Sequence, residues 1–274
     1  MLTAEKKGYL VQKSKIIRKY VIEMIYRAQS GHPGGSFSLA DILSVLYFHD
    51  LQYNVSDPKN LDRDRVVLSK GHAAPGLYAT LAEAGFFPVE ELWNLRKINS
   101  LLQGHPCINI PGVDVTTGSL GLGLSAACGM AMAAKMTKRN AIRVYAILGD
   151  GELGEGQIWE AAMTGAQFKL DNLTAVLDRN RYQNDGPTED IMKLEPLHYK
   201  WESFGWNVIE INGHNLDQIA SAFTIARGTS GKPTMIIANT VKGNGASYMM
   251  DKPALHYTPP TKEQKEQTLK ELEI

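Results

Sequence analysis

The sequence predicts an α/β fold, with a single doubly wound, mostly parallel sheet that carries helices on both faces. Short apolar runs rich in β-branched residues, each ending abruptly in polar residues such as Gly, Asp or Asn, alternate with segments of helical spacing. The chain of 274 residues is long enough to bury a large core, and no repeat or composition shift marks a linker. We therefore expect one domain over residues 1–274.

In the amino-terminal half, apolar periodicity and turn residues predict helices separated by Gly- and Pro-rich loops, with one short strand among them. The loops hold His32, His72 and His105, which lie near predicted helix starts or strand ends. The predicted elements are a helix at 9–29, a helix at 39–48 with Ser38 as N-cap, a strand at 65–68, a helix ending near Gly85, and a Gly- and Ala-rich helix at 119–136.

In the carboxyl-terminal half, residues 143–185 predict a strand, a helix that starts near Glu155, and a second strand. Two further strands follow, with the sequences WNVIEI and TMIIAN, and a helix lies between them. A long loop after the last strand holds Lys242 and His256, and the charged tail has a helical composition.

Composition excludes several classes of protein. Lys and Arg number 29, as do Asp and Glu, so no excess charge indicates nucleic acid or an anionic membrane as a partner. No apolar run approaches the roughly 18 residues of a membrane span, and the amino terminus lacks the apolar core of a secretory signal. The two cysteines, Cys107 and Cys128, have no metal-site spacing. We expect a cytoplasmic chain that binds neither nucleic acid nor membrane.

The central unit carries a candidate metal and diphosphate site. Asp150 ends its first strand and Asn180 follows its second, and a right-handed crossover brings such strand ends to one edge of the sheet. A carboxylate, an amide oxygen and a nearby backbone carbonyl suit a hard cation that also binds phosphate oxygens. Gly149 and Gly151 permit close approach of the backbone, and the helix near Glu155 directs its N-terminus at the anion.

Five of the seven histidines lie in Gly- or Pro-rich loops: His32, His72, His105, His214 and His256. A single loop histidine is usually an ordinary surface or structural residue. Four of the five follow or approach strand ends or helix starts, so they could converge above one edge of the sheet. Imidazoles placed there could move protons and bind sugar hydroxyls near neutral pH. Spacing alone leaves open whether they meet.

Seven motifs in order give the chain a family resemblance. SGHPGG, KGHA, GHP, VTTGSLG, GDGELGEG, a strand followed by Asn-x-Tyr, and KGNG followed by LH run from about Ser30 to about His256. This ordered set resembles transketolase, and it covers only the diphosphate-binding domain of that family. The resemblance implies the amino-terminal subunit of a split transketolase, with the pyrimidine-binding and carboxyl-terminal domains on a separate chain.

The resemblance also implies the ligands and the residues that hold them. Asp150, Asn180 and the main-chain carbonyl of Tyr182 would bind Mg²⁺ or Ca²⁺. The remaining positions would bind thiamine diphosphate or line its site, and they are His72, Gly118, Ser119, Leu120, Gly149, Gly151 and Lys242. His32, His105 and His256 would surround the reacting carbons of the sugar, and Glu155 would link two active sites across a dimer. The alternative for Glu155 is a first-turn glutamate favoured by the helix dipole.

The implied reaction is transfer of a two-carbon ketol unit between sugar phosphates, as in the pentose phosphate pathway. The family's ylide-generating glutamate and most of its phosphate-binding arginines lie in the second domain, so the chain should act only with a carboxyl-terminal partner subunit, in an α2β2 assembly. Leu122, Asn184 and Tyr257 depart from the usual family pattern, which favours an unusual sugar. The alternatives are a subunit of a deoxyxylulose phosphate synthase-like or 2-oxo acid dehydrogenase-like enzyme, and a non-catalytic binding chain.

Overall fold

A computed structural model describes residues 1–252 and 255–273, so Pro253 and Ala254 of the predicted long loop, and Ile274, lie outside the described residues. Its centre is one sheet of five parallel strands in the order β1-β2-β3-β5-β4. The strands are β1 (Arg65–Leu68), β2 (Val144–Gly149), β3 (Leu173–Arg179), β4 (Asn207–Asn212) and β5 (Thr234–Asn239). The predicted α/β class with a parallel sheet is confirmed.

The helices connect these strands and cover the sheet. The first four are α1 (Ala4–Ala28), α2 (Pro33–Ser38), α3 (Ala40–Val45) and α4 (Ala74–Glu83). The next three are α5 (Leu122–Met136), α6 (Gly156–Gln167) and α7 (Thr188–Ile191). The last three are α8 (Leu197–Ser203), α9 (Leu216–Gly228) and α10 (Lys262–Glu271). None of the helices in the described part of the chain is both long and apolar enough to cross a membrane.

Two hydrophobic cores lie on opposite faces of the sheet. Alternation along β2 sends Tyr145 and Ile147 into one core, which also contains buried residues of α1, α3, α4 and α9. Ala146 and Leu148 point into the other core, with buried residues of α5, α6 and α8. The predicted helices on both faces are therefore confirmed. With both faces covered, the sheet can bind a ligand only at its edges, and the strand ends are the available positions.

The prediction for residues 30–48 was wrong in detail. The Gly- and Pro-rich run forms α2, because Pro33 occupies the start of a helix, where its missing N–H is not needed. Ser38 is not an N-cap; its hydroxyl donates instead to the Asp178 carboxylate at 2.7 Å. The predicted helix at 39–48 is α3, followed by a wider turn over residues 46–50.

Other boundaries differ by a few residues. The first helix begins at Ala4 rather than residue 9, because the Thr3 side chain accepts a hydrogen bond from the Lys6 N–H and caps it. The helix predicted from residue 119 begins at Leu122, after Gly121 with a φ of 90°. The predicted strand at 65–68 and the strand-helix-strand unit at 143–185 are present.

Candidate functional site

The carboxyl ends of the strands surround a cavity of about 320 Å³. Residues after β1, β2, β3 and β5 all contribute to its wall, together with α2 and the loop that follows residue 252. Its lining residues are His32, Gly35, Lys70, His72, Ala73, Leu120, Gly149, Asp150, Gly151, Glu152, Asn180, Tyr182, Gln183, Asn184, Lys242 and His256. Ten of these were predicted as site residues from the sequence.

Asp150 lies directly after β2 and is 1% exposed. One carboxylate oxygen accepts from the Gly151 N–H at 2.9 Å, and the other accepts from the Arg181 N–H at 2.5 Å and from the Arg179 guanidinium at 3.2 Å. Burial and the nearby Asp178 carboxylate raise the pKa of Asp150 to about 6. This side chain is therefore held rigidly, and it is a buried carboxylate that a cation would stabilise.

Asn180 lies directly after β3, the strand that pairs with β2, and two residues beyond Asp178. Its amide nitrogen donates to Asp178 at 3.1 Å, which orients its carbonyl oxygen toward the Tyr182 N–H at 3.1 Å. Asp178 itself is fully buried and also accepts from Lys70, Ser38 and Thr240. Burial alone would raise the pKa of Asp178, but Lys70 outweighs that effect and lowers it.

Backbone segments approach each other closely at Gly151. A Cβ on this residue would lie 2.7 Å from the Gln183 Cβ, so a side chain here would close the space between β2 and the segment after β3. Next to it, the buried Glu152 carboxylate accepts from the Gly121 and Gly149 N–H groups at 2.9 and 3.0 Å, and from Ser69. Glu152 thus ties the start of α5 to the ends of β1 and β2.

Four histidines from separate loops meet beside this carboxylate and amide pair. The ring centroids of His32 and His72 are 5.0 Å apart, those of His32 and His256 are 5.3 Å apart, and those of His72 and His105 are 4.6 Å apart. The predicted possibility that four loop histidines converge is therefore confirmed. The fifth loop histidine, His214, lies outside the cluster and contacts Asp41.

The cluster histidines are neutral near pH 7. Burial lowers the pKa of His32 to about 3, helped by His256 and His72, and burial with the nearby Lys242 charge lowers the pKa of His256 to about 4. Burial also lowers the pKa values of His72 and His105. Neutral imidazoles can each donate and accept one hydrogen bond, which suits sugar hydroxyls and proton transfer.

Lys242 fixes the tautomer of His256. Its side chain is 2% exposed, and its amino group lies 2.8 Å from His256 Nδ1. Burial lowers the pKa of Lys242 to about 8. Because a lysine ammonium group can only donate, His256 Nδ1 accepts and Nε2 carries the proton. The amino group also lies 5.6 Å from the centre of the Tyr182 ring.

Four predicted site residues do not line the cavity. His105 reaches it only through its contact with His72, and Gly118 packs against His105, where a Cβ would lie 3.0 Å from Cγ of that ring. Ser119 and Glu155 are exposed. Glu155 is the residue before α6, as predicted, but its side chain accepts no capping hydrogen bond from that helix.

Two of the three departures from the family pattern lie at the site. Asn184 lines the cavity, and the Tyr257 ring centroid lies 6.4 Å from that of His32, with the tyrosine 62% exposed. Leu122, at the start of α5, is about half exposed and does not line the cavity.

Sequence reasoning missed the buried polar residues that hold this site together. Lys70, Asp178, Arg179 and Glu152 lie inside or beside motifs that were recognised, but their roles depend on partners far away in the chain. Lys70 precedes His72 in the KGHA motif, and Glu152 lies in GDGELGEG, so motif membership was the available signal.

The chemistry of the site fits a metal-bound diphosphate ligand. Within the described residues, no group of three or more His, Cys, Asp or Glu side chains is arranged to bind a metal, so a cation here would depend on mixed oxygen ligands. Asp150 and the Asn180 carbonyl supply such oxygens, and Gly151 leaves room for a ligand. His32 Nδ1 is buried and has no hydrogen-bond partner among the residues that the structure describes, as expected of a ligand-binding group.

Comparison with known proteins gives one family. The family description "Transketolase, thiamine diphosphate binding domain" matches residues 11–273. The chain is 46% identical over 255 residues to one of the named subunits of the apulose-4-phosphate transketolase of Phocaeicola vulgatus, covering 93% of this chain and 90% of that protein. It is also 46% identical over 265 residues to 6-deoxy-6-sulfo-D-fructose transketolase subunit SqwG of Clostridium sp., covering 96% of each chain.

A solved structure gives the same result for the fold. The crystal structure of transketolase from Campylobacter jejuni superimposes with a TM-score of 0.91 at 35% identity. The match covers 97% of this chain and 43% of that chain, so the similarity extends over less than half of the longer protein.

Proposed function

This chain belongs to the transketolase family, through its thiamine diphosphate-binding domain, and from this premise we propose that it is the amino-terminal subunit of a two-chain transketolase. The reaction that we propose is transfer of a two-carbon ketol unit from a ketose phosphate to an aldose phosphate. The observation that carries the proposal is the meeting of four neutral loop histidines with Asp150 and Asn180 around one cavity.

The oxygen ligands would hold a divalent cation and, through it, a diphosphate. Asp150, the Asn180 carbonyl and the Tyr182 main-chain carbonyl are the proposed ligands of Mg²⁺ or Ca²⁺. Lys242 is a buried donor in the wall of the same cavity, where it can contact a diphosphate oxygen. Gly149 and Gly151 keep side-chain bulk away from this space, and Gly118, Ser119 and Leu120 are the proposed contacts of the aminopyrimidine.

The histidines would handle the sugar. Thiamine diphosphate, when bound, supplies the electron sink for carbon–carbon bond cleavage and formation. His256 presents its Nε2–H toward the cluster, since Nδ1 accepts from Lys242, and it can donate to a substrate oxygen. His32 has a free Nδ1 within the described part of the chain, so it can exchange a proton or hydrogen bond with a hydroxyl. His105 is the third proposed sugar-binding histidine, and His72 is a proposed cofactor contact between His32 and His105.

The chain would act with a partner. It covers 43% of the Campylobacter jejuni transketolase but 90% and 96% of the two relatives that are named as subunits. A separate carboxyl-terminal subunit would supply the pyrimidine-binding domain, and an α2β2 assembly would place Glu155 between two active sites. The exposed position of Glu155 is compatible with an interface role.

The sugar is proposed to be a ketose phosphate or a close analogue outside the common set. The two relatives are named for apulose-4-phosphate and 6-deoxy-6-sulfo-D-fructose, which differ at the end of the molecule away from the ketol group. Asn184 in the cavity wall and Tyr257 beside His32 are the positions where this chain would select its substrate. The metabolic pathway, including the pentose phosphate pathway, follows from the sugar identified.

The test begins with affinity purification of the tagged chain from its own host, followed by mass spectrometry. We expect a stoichiometric partner that resembles the last two transketolase domains. The complex is then screened for ketol transfer with ketose phosphates and with the two sugars above, and for pyruvate decarboxylation as a comparison. Recovery of the chain with itself alone would favour a non-catalytic role, and decarboxylation without ketol transfer would favour a different thiamine diphosphate enzyme.

A further inference from the structure

The turn at residues 241–244, which carries Lys242, is held at both ends from outside the cavity. At its start, the Val241 N–H donates to His214 Nε2 at 2.9 Å. At its end, the Asn244 carbonyl accepts from Arg18 Nε at 2.8 Å. His214 follows β4 and Arg18 lies in α1, so two distant parts of the chain fix this turn.

Asp41 joins these two supports. Its carboxylate accepts two hydrogen bonds from the Arg18 guanidinium, at 3.0 and 2.7 Å, and lies 2.8 Å from His214 Nδ1. Arg18 and Asp41 are 4% and 7% exposed. Burial would raise the pKa of the Asp41 carboxyl, but the Arg18 charge outweighs burial and holds this pKa well below its usual range. The carboxylate is therefore ionised and fixed.

The contacts determine the state of His214. A backbone N–H can only donate, so Nε2 of His214 must be the acceptor for Val241. Nδ1 therefore carries the hydrogen and donates it to Asp41. The Asn244 side-chain amide also lies 3.1 Å from Nδ1, so the ring contacts both ends of the turn. A neutral imidazole in this single tautomer transmits the fixed position of Asp41 to the backbone of the turn.

The position of the turn decides where the Lys242 amino group lies. The Gly243 N–H donates to the Gly34 carbonyl at 3.1 Å, and the Lys242 side chain passes Gly34, where a Cβ would lie 3.1 Å from two of its carbons. The amino group ends 2.8 Å from His256. Movement of the Val241 backbone would therefore displace both Lys242 and its contact with His256.

We propose that His214, with Asp41 and Arg18 behind it, is a positioning residue that places Lys242 and His256 in the cavity. The inference rests on the proposed function only for the identity of the ligand that Lys242 meets. His214 is not among the residues that line the cavity; it acts through the Val241 N–H. Its loss should weaken ligand binding more than it weakens the fold.

Two substitutions separate the two hydrogen bonds of His214. In His214→Asn, the side-chain amide nitrogen can occupy the place of Nδ1 and donate to Asp41, but the shorter side chain does not reach Val241. In His214→Gln, the side-chain oxygen can occupy the place of Nε2 and accept from Val241. His198→Asn is the matched control, because His198 also lies 2.9 Å from a carboxylate, that of Glu210, but on the exposed face of α8.

The measurements are amide hydrogen exchange at Val241 and the affinity of the partner-bound chain for thiamine diphosphate with Mg²⁺, by calorimetry. We expect His214→Asn to speed exchange at Val241 and to weaken binding about tenfold, as loss of a group that orients a ligand residue does. His214→Gln should retain most of both properties, and His198→Asn should change neither. In a Lys242→Met background, His214→Asn should cause no further loss of affinity.

Unchanged Val241 exchange and affinity in His214→Asn would overturn the proposal, and so would equal loss in the Lys242→Met background. If His214→Asn does not fold, the comparison passes to His214→Gln, whose Val241 exchange as fast as that of an unbonded amide would also overturn it. Wild-type complex that fails to bind thiamine diphosphate would contradict the proposed function instead, and Val241 exchange would still decide whether His214 holds the turn.

Discussion

The buried pair of Lys70 and Asp178 gives the sharpest energetic prediction. Asp178 is fully buried beneath the cavity and Lys70 is 8% exposed, and among the described residues the amino group has only the Gly35 carbonyl at 3.2 Å as another acceptor. Asp178→Asn removes the countercharge and leaves a buried ammonium group. Breaking one side of such a pair costs about 3–5 kcal/mol, a large part of the roughly 5–15 kcal/mol that stabilises a domain.

Removing both charges should be far less damaging than removing one. The double variant Asp178→Asn with Lys70→Met leaves no unpaired charge, and we expect its free energy of unfolding within about 1.5 kcal/mol of wild type, the scale of one neutral hydrogen bond. Urea unfolding is followed by the fluorescence of Trp201 and Trp206, which are both buried. A cost below about 1 kcal/mol for Asp178→Asn, or a double variant as unstable as the sum of the singles, would refute this reasoning.

Three further predictions concern the histidines, the glycine turn and the metal ligands. Because the pKa of His32 is about 3 when folded and about 6.5 when unfolded, the unfolded state binds more protons between these values. Stability therefore rises with pH in this window, and His32→Asn should reduce that slope by up to about 1.4 kcal/mol per pH unit in urea unfolding at pH 5, 6 and 7; an unchanged slope contradicts it. Gly151→Ala should cost about 1–3 kcal/mol, since its Cβ would lie 2.7 Å from a side-chain carbon, whereas Gly154→Ala, whose Cβ would have no described atom within 4 Å, should be neutral in the same assay; equal effects would contradict the close approach. Asp150→Asn should weaken Mg²⁺-dependent thiamine diphosphate binding by at least about 100-fold in calorimetry, while the exposed control Asp62→Asn should not; equal affinities would remove Asp150 from the metal site.

The sheet was predictable because strand signals are local. The β1 strand ends at the residues expected, since an apolar run bounded by polar residues needs no knowledge of its neighbours. The meeting of Asp150 with Asn180 also followed from local reasoning, because a crossover of this length brings both strand ends to one edge. Fold class and the main pair of the candidate site were therefore accessible from the sequence.

The segment at residues 30–38 was not predictable in the same way. Its Gly and Pro content argues against a helix, yet α2 forms because Pro33 fits a helix start and most of the segment is buried against neighbouring elements. Ser38 likewise has the local features of an N-cap, but its hydroxyl is used by a carboxylate 140 positions away. Burial and distant partners outweighed local propensity here.

The buried charge network was beyond local reasoning for the same cause. Arg179 looks like an ordinary residue at the end of a strand, but its guanidinium is 1% exposed and contacts Asp150, Thr188, Glu189 and Glu195. Each contact joins segments that only the folded chain brings together. Such networks are recognised from the folded structure, and the motifs show only some of their members.

The most direct test of the central claim is ketol transfer by the purified complex with a ketose phosphate labelled with ¹³C at C1 and C2. With thiamine diphosphate and Mg²⁺ present, we expect both labels to appear together at C1 and C2 of a new ketose, and we expect Asp150→Asn in this chain to abolish the transfer. Label that stays in the donor with every acceptor in the screen, or transfer that proceeds equally without this chain, would contradict the assignment of this chain to a two-chain transketolase.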